Sequence, residues 1–199
     1  MNYFLSGIGT AKSSLRQQFR KKNFQVRSVN YFEISDLSKE SILFLVYDGL
    51  YIEEFLSAVK VINCNVIPIF FDVDTVIIPG VHKPEYQKGE ICIECSIARL
   101  KEYYFNSIMY EKLFMKKDYS LVDNVLEVEF SIFAQSFISA FKETGFVGQI
   151  SIYSFDYYTF KNKQILGYTK CKQCDFHDYS SDEMINQLNE VLDCVAINK

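Results

Sequence analysis

Short apolar runs alternate with amphipathic stretches along the first eighty residues. "NYFLSGIG" is a brief apolar run closing on glycines, as a strand does before a helix. In "TAKSSLRQQFRKK", Leu15 and Phe19 stand four apart among polar and basic residues, which predicts a helix with one buried face. "FQVRSVNYFEI" reads as a second strand. "SILFLVYDG" is a continuous apolar run of the kind buried on both faces of a parallel sheet. "LYIEEFLSAVKVINC" has helical spacing at Ile52, Phe55, Leu56 and Val59, and "NVIPIFFDVD" is a further buried strand. "TVIIPGVHKPEYQKGE", with two prolines, predicts an extended loop. Strands alternating with helices in this way predict an open, doubly wound α/β sheet.

The pattern then changes. Residues 96–117 predict one long helix, with apolar or aromatic Ile97, Leu100, Tyr104, Ile108 and Leu113. Tyr103, Phe105, Met109, Tyr110 and Phe114 make it apolar nearly all round, more than one small domain needs. Tyr104 and Met109 are therefore candidates for a partner surface. Residues 125–144 predict a second helix, with Phe133, Phe137 and Phe141 in its apolar pattern and Gly145 as its C-terminal cap. "GQISIYSFDYYTFKNKQILGYTKC" reads as a hairpin turning at "KNK", and a last amphipathic helix is expected at 181–196. The chain is expected to be one domain, with an α/β sheet part over 1–90 and helices, hairpin and C-terminal helix over 91–199.

The 199 residues are 49% hydrophobic and 16% aromatic, which is enough for a sizeable core. "MNYFLSGIGTAKSSLRQQF" has no basic start before an apolar run and no cleavage site, and no segment has the roughly 18 consecutive apolar residues of a membrane span. A cytoplasmic location follows as an expectation, with thiols kept reduced and open to metal. The net charge of −4 is uneven. Lys12, Arg16, Arg20, Lys21, Lys22 and Arg27 precede the first acid. Such a stripe is either a solvated helix face or a meeting place for an acidic surface, and the acidic total argues against nucleic acid. Arg16 and Arg20 are the partner-surface candidates here.

The cysteines change the picture most. "GEICIECSIARLKE" holds Cys92 and Cys95, and "YTKCKQCDF" holds Cys171 and Cys174 with the same spacing. Structural zinc takes four ligands in a tetrahedron, and a two-residue gap lets two thiolates converge on one ion. Zn²⁺ is the expected cofactor; unliganded buried thiols and a redox pair or disulfide are the alternatives. Cys64 and Cys194 stand alone in apolar surroundings and read as small buried hydrophobes.

Gly7 and Gly9, in "SGIGTAK", open a nucleotide-binding fingerprint, but Lys12 replaces its third glycine. The loop is either a working nucleotide site or an inherited tight turn. Asp48 ends an apolar strand where open α/β sheets place ligands, and either holds Mg²⁺ or caps the next helix. His82 reads as a surface loop histidine. No catalytic constellation has support.

The order of these features is informative: Gly-x-Gly loop, α/β sheet, "IPG" loop, Cys-x-x-Cys, helices, hairpin, Cys-x-x-Cys. It resembles the ThiF/ubiquitin-activating-enzyme superfamily, and within it the McbB-type subunits of ribosomal-peptide azole synthetases, whose first pair also runs into a helix with an Arg, as in "CIECSIARLKE". The resemblance implies a four-cysteine zinc site and a YcaO-type cyclodehydratase as partner. It also implies a precursor peptide, a flavin dehydrogenase sharing the complex, and a dimer with itself or with a leader-binding sibling subunit. The N-terminal leader-binding module of such subunits is expected to be absent. "YFEISD" runs straight into "SILFLVYDG", leaving no room for the ribose and phosphate residues of an adenylating enzyme. The expectation is a non-catalytic, zinc-containing scaffold of a thiazole- or oxazole-forming heterocyclase, with a ThiF-like adenylating enzyme as the alternative.

Overall fold

A computed structural model of the chain describes residues 2–72, 74–87, 90–103, 125–165 and 171. The apolar runs become strands β1 (Asn2–Ile8), β2 (Arg27–Ser28), β3 (Ser41–Tyr47), β4 (Asn65–Asp72), β5 (Thr75–Ile78), β6 (Gln149–Ser154) and β7 (Thr159–Gln164). The amphipathic stretches become helices α1 (Ala11–Lys21), α2 (Ile52–Val59), α3 (Ile93–Tyr103) and α4 (Glu127–Thr144). The seven strands form one sheet in the order β2-β1-β3-β4-β5-β6-β7. The first four are parallel and the last three join antiparallel. β5 pairs with β6, so the sheet runs unbroken from the first ninety residues into the hairpin.

Alternation along β3 builds the layers. Ile42, Phe44 and Val46 point to one face, where α1 and α4 lie; Leu43, Leu45 and Tyr47 point to the other, with α2 and α3. Covering on both faces is why every residue of β3 is buried. The α1/α4 layer is packed with rings. Phe44 lies 5.4 Å from Phe137 and Phe133 lies 5.0 Å from Tyr153, between ring centroids.

Local chemistry fixes the ends of α4. The Leu126 N–H donates to the Glu129 carboxylate at 2.7 Å. Gly145, at φ +60°, donates its N–H to the Phe141 carbonyl at 2.9 Å, the glycine cap the sequence predicts.

Four expectations need correction. The second strand keeps only Arg27–Ser28, because Tyr31–Asp36 winds into a 3₁₀ turn. That turn buries Ile34 and brings the Tyr31 hydroxyl to 3.2 Å from that of Tyr47. Thr75–Ile78 is a strand rather than a loop: Val76, Ile77 and Ile78 are fully buried, and the prolines act only beyond them. "KNK" lies inside β7, where Lys161 pairs with Ile152 and Lys163 with Ile150. The hairpin turns earlier, over 155–158, with Tyr158 at φ +53°. The side chains of β7 are exposed apart from Phe160, so a polar run is tolerated there. Finally, the helix expected at 96–117 starts at Ile93.

The rest of that helix, including Tyr104 and Met109, lies outside the described residues, as do the helix expected at 181–196, Cys174 and Cys194. Among the described residues, no helix is long and apolar enough to cross a membrane.

Candidate metal centre

β4, β5 and the loop after them carry the chain to the first cysteine pair. His82 exchanges two backbone hydrogen bonds with Val66 of β4, at 2.8 and 2.9 Å. This bridge is one residue out of register with the β4–β5 ladder, and Gly80, at φ +126°, lies in the segment that absorbs the extra residue. Lys83 and Glu90 form an ion pair across the loop. The Gln87 N–H donates to the Glu90 carboxylate at 3.0 Å. The segment delivers Cys92 to the residue flanking α3, where its carbonyl accepts the Ser96 N–H at 3.1 Å. Cys95 lies in the first turn of α3, and Cys171 arrives from beyond the hairpin.

The Sγ atoms of Cys92, Cys95 and Cys171 all lie within 4.8 Å of one another, and those of Cys92 and Cys171 are 3.6 Å apart. Two sulfurs bonded to each other would be about 2.05 Å apart. Zn–S bonds of about 2.3 Å, set tetrahedrally, put sulfurs about 3.8 Å apart. The three thiols therefore sit at metal-ligand spacing, not disulfide spacing. Cys92 is fully buried and Cys95 is 3% exposed. Burial pushes the Cys92 thiol well above its ordinary range, and the neighbouring thiols push it further, although a Cys95 backbone hydrogen bond acts the other way. A cation among the sulfurs is what makes their thiolate form compatible with burial. The donor set fits a thiophilic metal, with three ligands among the described residues. Cys64 is separate from them: it is fully buried and burial raises its thiol to about 11, as expected of a lone apolar cysteine.

Gly7, Gly9 and Asp48 do converge, at the point where the sheet order reverses between β1 and β3. Their arrangement corrects one reading. Asp48 does not cap the helix that follows it; it caps α1. Its carboxylate accepts the Thr10 N–H at 2.5 Å, the Thr10 hydroxyl at 3.0 Å and the Ala11 N–H at 3.0 Å. The two glycines make this approach possible. A Cβ on Gly9 would lie 2.2 Å from the Asp48 carboxyl, and one on Gly7 would lie 1.9 Å from the Val46 carbonyl oxygen.

Arg16 and Arg20 lie on the exposed polar face of α1, with Ser13, Gln17 and Lys21. Lys21 pairs with Glu127 at 2.5 Å, tying α1 to α4. His82 is not a plain surface residue. Burial lowers its imidazole to about 4, and its Nε2 is buried without a hydrogen-bond partner among the described residues. Sequence reasoning passed over Tyr86, which packs against the cysteines, because nothing in "KPEYQKG" distinguishes it from a loop tyrosine.

No family model and no curated protein matches the sequence. Its architecture is another matter: 86% of the chain superposes on 68% of a chain of the E. coli microcin synthetase McbBCD complex, with a TM-score of 0.62 and 13% identity. The chain shares that fold. It also matches a heterocyclase solved with substrate and cofactor (TM-score 0.55, 11% identity) and the heterocyclase TruD (TM-score 0.52, 10% identity), over 88% of its own length in each. It spans about a quarter of those two chains, 25% and 27%. Among the described residues, the mixed α/β sheet expected from the McbB-type resemblance is the one found.

Proposed function

We propose that the chain is a zinc-stabilised, non-catalytic McbB-type subunit of a peptide heterocyclase, supporting a YcaO-type cyclodehydratase that forms thiazole or oxazole rings in a precursor peptide. The fold shared with McbBCD and heterocyclase chains supports the pathway. The observation that carries the non-catalytic role is Asp48. The N-terminus of a helix after a Gly-x-Gly turn is where a nucleotide phosphate normally sits. Here a carboxylate from the chain itself takes those N–H groups. A bound phosphate would meet that negative charge instead of free donors. Two groups of one sign in that space repel rather than bind.

Cys92, Cys95, Cys171 and Cys174 hold one Zn²⁺ in this reading, closing the end of the hairpin onto α3. The metal is structural; no step of ring formation passes through it. Arg16 and Arg20 contribute to a surface for an acidic partner, the cyclodehydratase or a leader-binding sibling.

The test is reconstitution with a YcaO-type cyclodehydratase and its precursor. Mass spectrometry counts the water lost per ring formed, with and without this chain. Expected is ring formation that depends on the chain, about one zinc per chain by metal analysis, and no pyrophosphate exchange by the chain alone. Nucleotide-dependent exchange by the isolated chain would instead establish the adenylating enzyme. Full cyclisation without the chain would refute the scaffold role.

A further inference from the structure

Phe32 is 94% exposed, more than any other large hydrophobic side chain among the described residues. The 3₁₀ turn that carries it is nevertheless well anchored. Ile34 is buried beneath it, the Tyr31 hydroxyl meets that of Tyr47, and the Asn30 carbonyl accepts the Glu33 N–H at 3.1 Å. An open groove runs between this turn and α2. Phe32 and Val61, itself 59% exposed, line it together with buried Ile34 and Ala58. Glu53 and Glu54 line it too. The groove lies on the α2/α3 face of the sheet, away from α1 with its Arg16 and Arg20.

We propose that this groove docks a short segment of a partner protein in which a Lys or Arg stands about one helical turn from a Leu- or Phe-sized apolar residue. Charge selects the basic residue. The 3₁₀ turn and α2 together carry Glu33, Asp36, Glu53 and Glu54, and no cation lies within either element. Lys101 of α3 reaches Glu53 only at 3.5 Å. Spacing selects the neighbour. Glu54 and Ala58 are one turn apart on α2, about 6 Å along its axis, and Val61 follows the helix end. A cation over Glu54 therefore sets an apolar residue four positions on against Ala58, Val61 and Phe32. An anchored ring beside a small apolar groove is the kind of contact that concentrates binding energy. The basic helix of a second copy does not fit: α1 buries its own Leu15 and Phe19 and offers Ser13, Gln17 and charges on its exposed face. The proposal stands apart from the heterocyclase reading, because it needs only this face of the chain.

The experiment uses the full chain and two fluorescein-labelled helical peptides of Ala and Gln. One carries Lys–Leu pairs at i and i+4; in the other Glu replaces each Lys. Fluorescence anisotropy is expected to show the Lys peptide binding and the Glu peptide binding about tenfold more weakly. Phe32→Ala and Glu54→Lys should each weaken the Lys peptide at least about fivefold, with circular dichroism unchanged because both side chains are exposed. Should Phe32→Ala disturb folding, Val61→Ser takes its place with the same expectation. Binding that both variants leave unchanged, equal binding of the two peptides, or no binding of the Lys peptide at about 1 mM overturns the proposal. Sedimentation of the chain alone gives a further check: self-association that Phe32→Ala abolishes would assign the groove to a second copy and overturn the partner segment.

Discussion

Replacing Asp48 with alanine tests whether the carboxylate is an internal substitute for a bound anion. Asp48 is 5% exposed, and Ala11, whose N–H it accepts, is fully buried. Water therefore cannot replace the lost acceptor at Ala11. A hydrogen bond to a charged group contributes about 1.5–3 kcal/mol, and a lost helix N-cap costs about 1 kcal/mol. These overlap, since the same N–H groups are counted in both. Asp48→Ala should then lower stability by about 2–4 kcal/mol, and Asp48→Asn, which keeps an acceptor but not the charge, by about 1 kcal/mol. Urea denaturation followed by far-ultraviolet circular dichroism measures both. The order of the two variants matters more than either magnitude. If Asp48→Ala is within about 0.5 kcal/mol of wild type, the carboxylate contributes nothing to α1, and the physical basis for excluding a nucleotide phosphate is lost.

Two further outcomes follow from the core and the loop. Phe133→Ala should cost about 3–5 kcal/mol in the same assay, because Phe133 is fully buried and its ring lies within 5.4 Å of Phe71 and 5.0 Å of Tyr153; a loss under 1 kcal/mol would contradict the packing. His82, held to about 4 by burial against an ordinary 6.5, binds a proton more readily unfolded than folded. Its contribution is complete above pH 6.5 and is lost as pH falls toward 4, by about 1 kcal/mol between pH 7 and 5 after allowing for its partial exposure. His82→Gln, which leaves the backbone bridge to Val66 in place, should flatten that part of the pH profile, and an unchanged profile would show the imidazole to be solvated.

What was legible in the sequence was whatever repeats with a fixed period or spacing. The continuous apolar run of β3, the four-residue step from Leu15 to Phe19 and the glycine after α4 each carry their own local reason, and each element formed as read. The proximity of Cys92 and Cys95 was legible for the same reason, since a two-residue gap lets two thiols converge. What failed was decided by distant partners. Thr75–Ile78 becomes a strand because β4 and β6 flank it, and a proline-rich window hides that. "KNK" resembles a turn locally but is held straight by its pairing with Ile150–Ile152. Asp48 is the clearest case. Its own neighbours suggest a cap for α2, which starts four residues later, yet parallel pairing of Gly7 with Val46 brings the start of α1 within reach of its carboxylate. The partner is thirty-eight residues earlier in the chain, and only the strand register identifies it. The same register explains why the two glycines are needed: a side chain at either would displace the very contact that closes the loop. The Gly-x-Gly motif thus carries information about packing against Asp48, independently of any nucleotide.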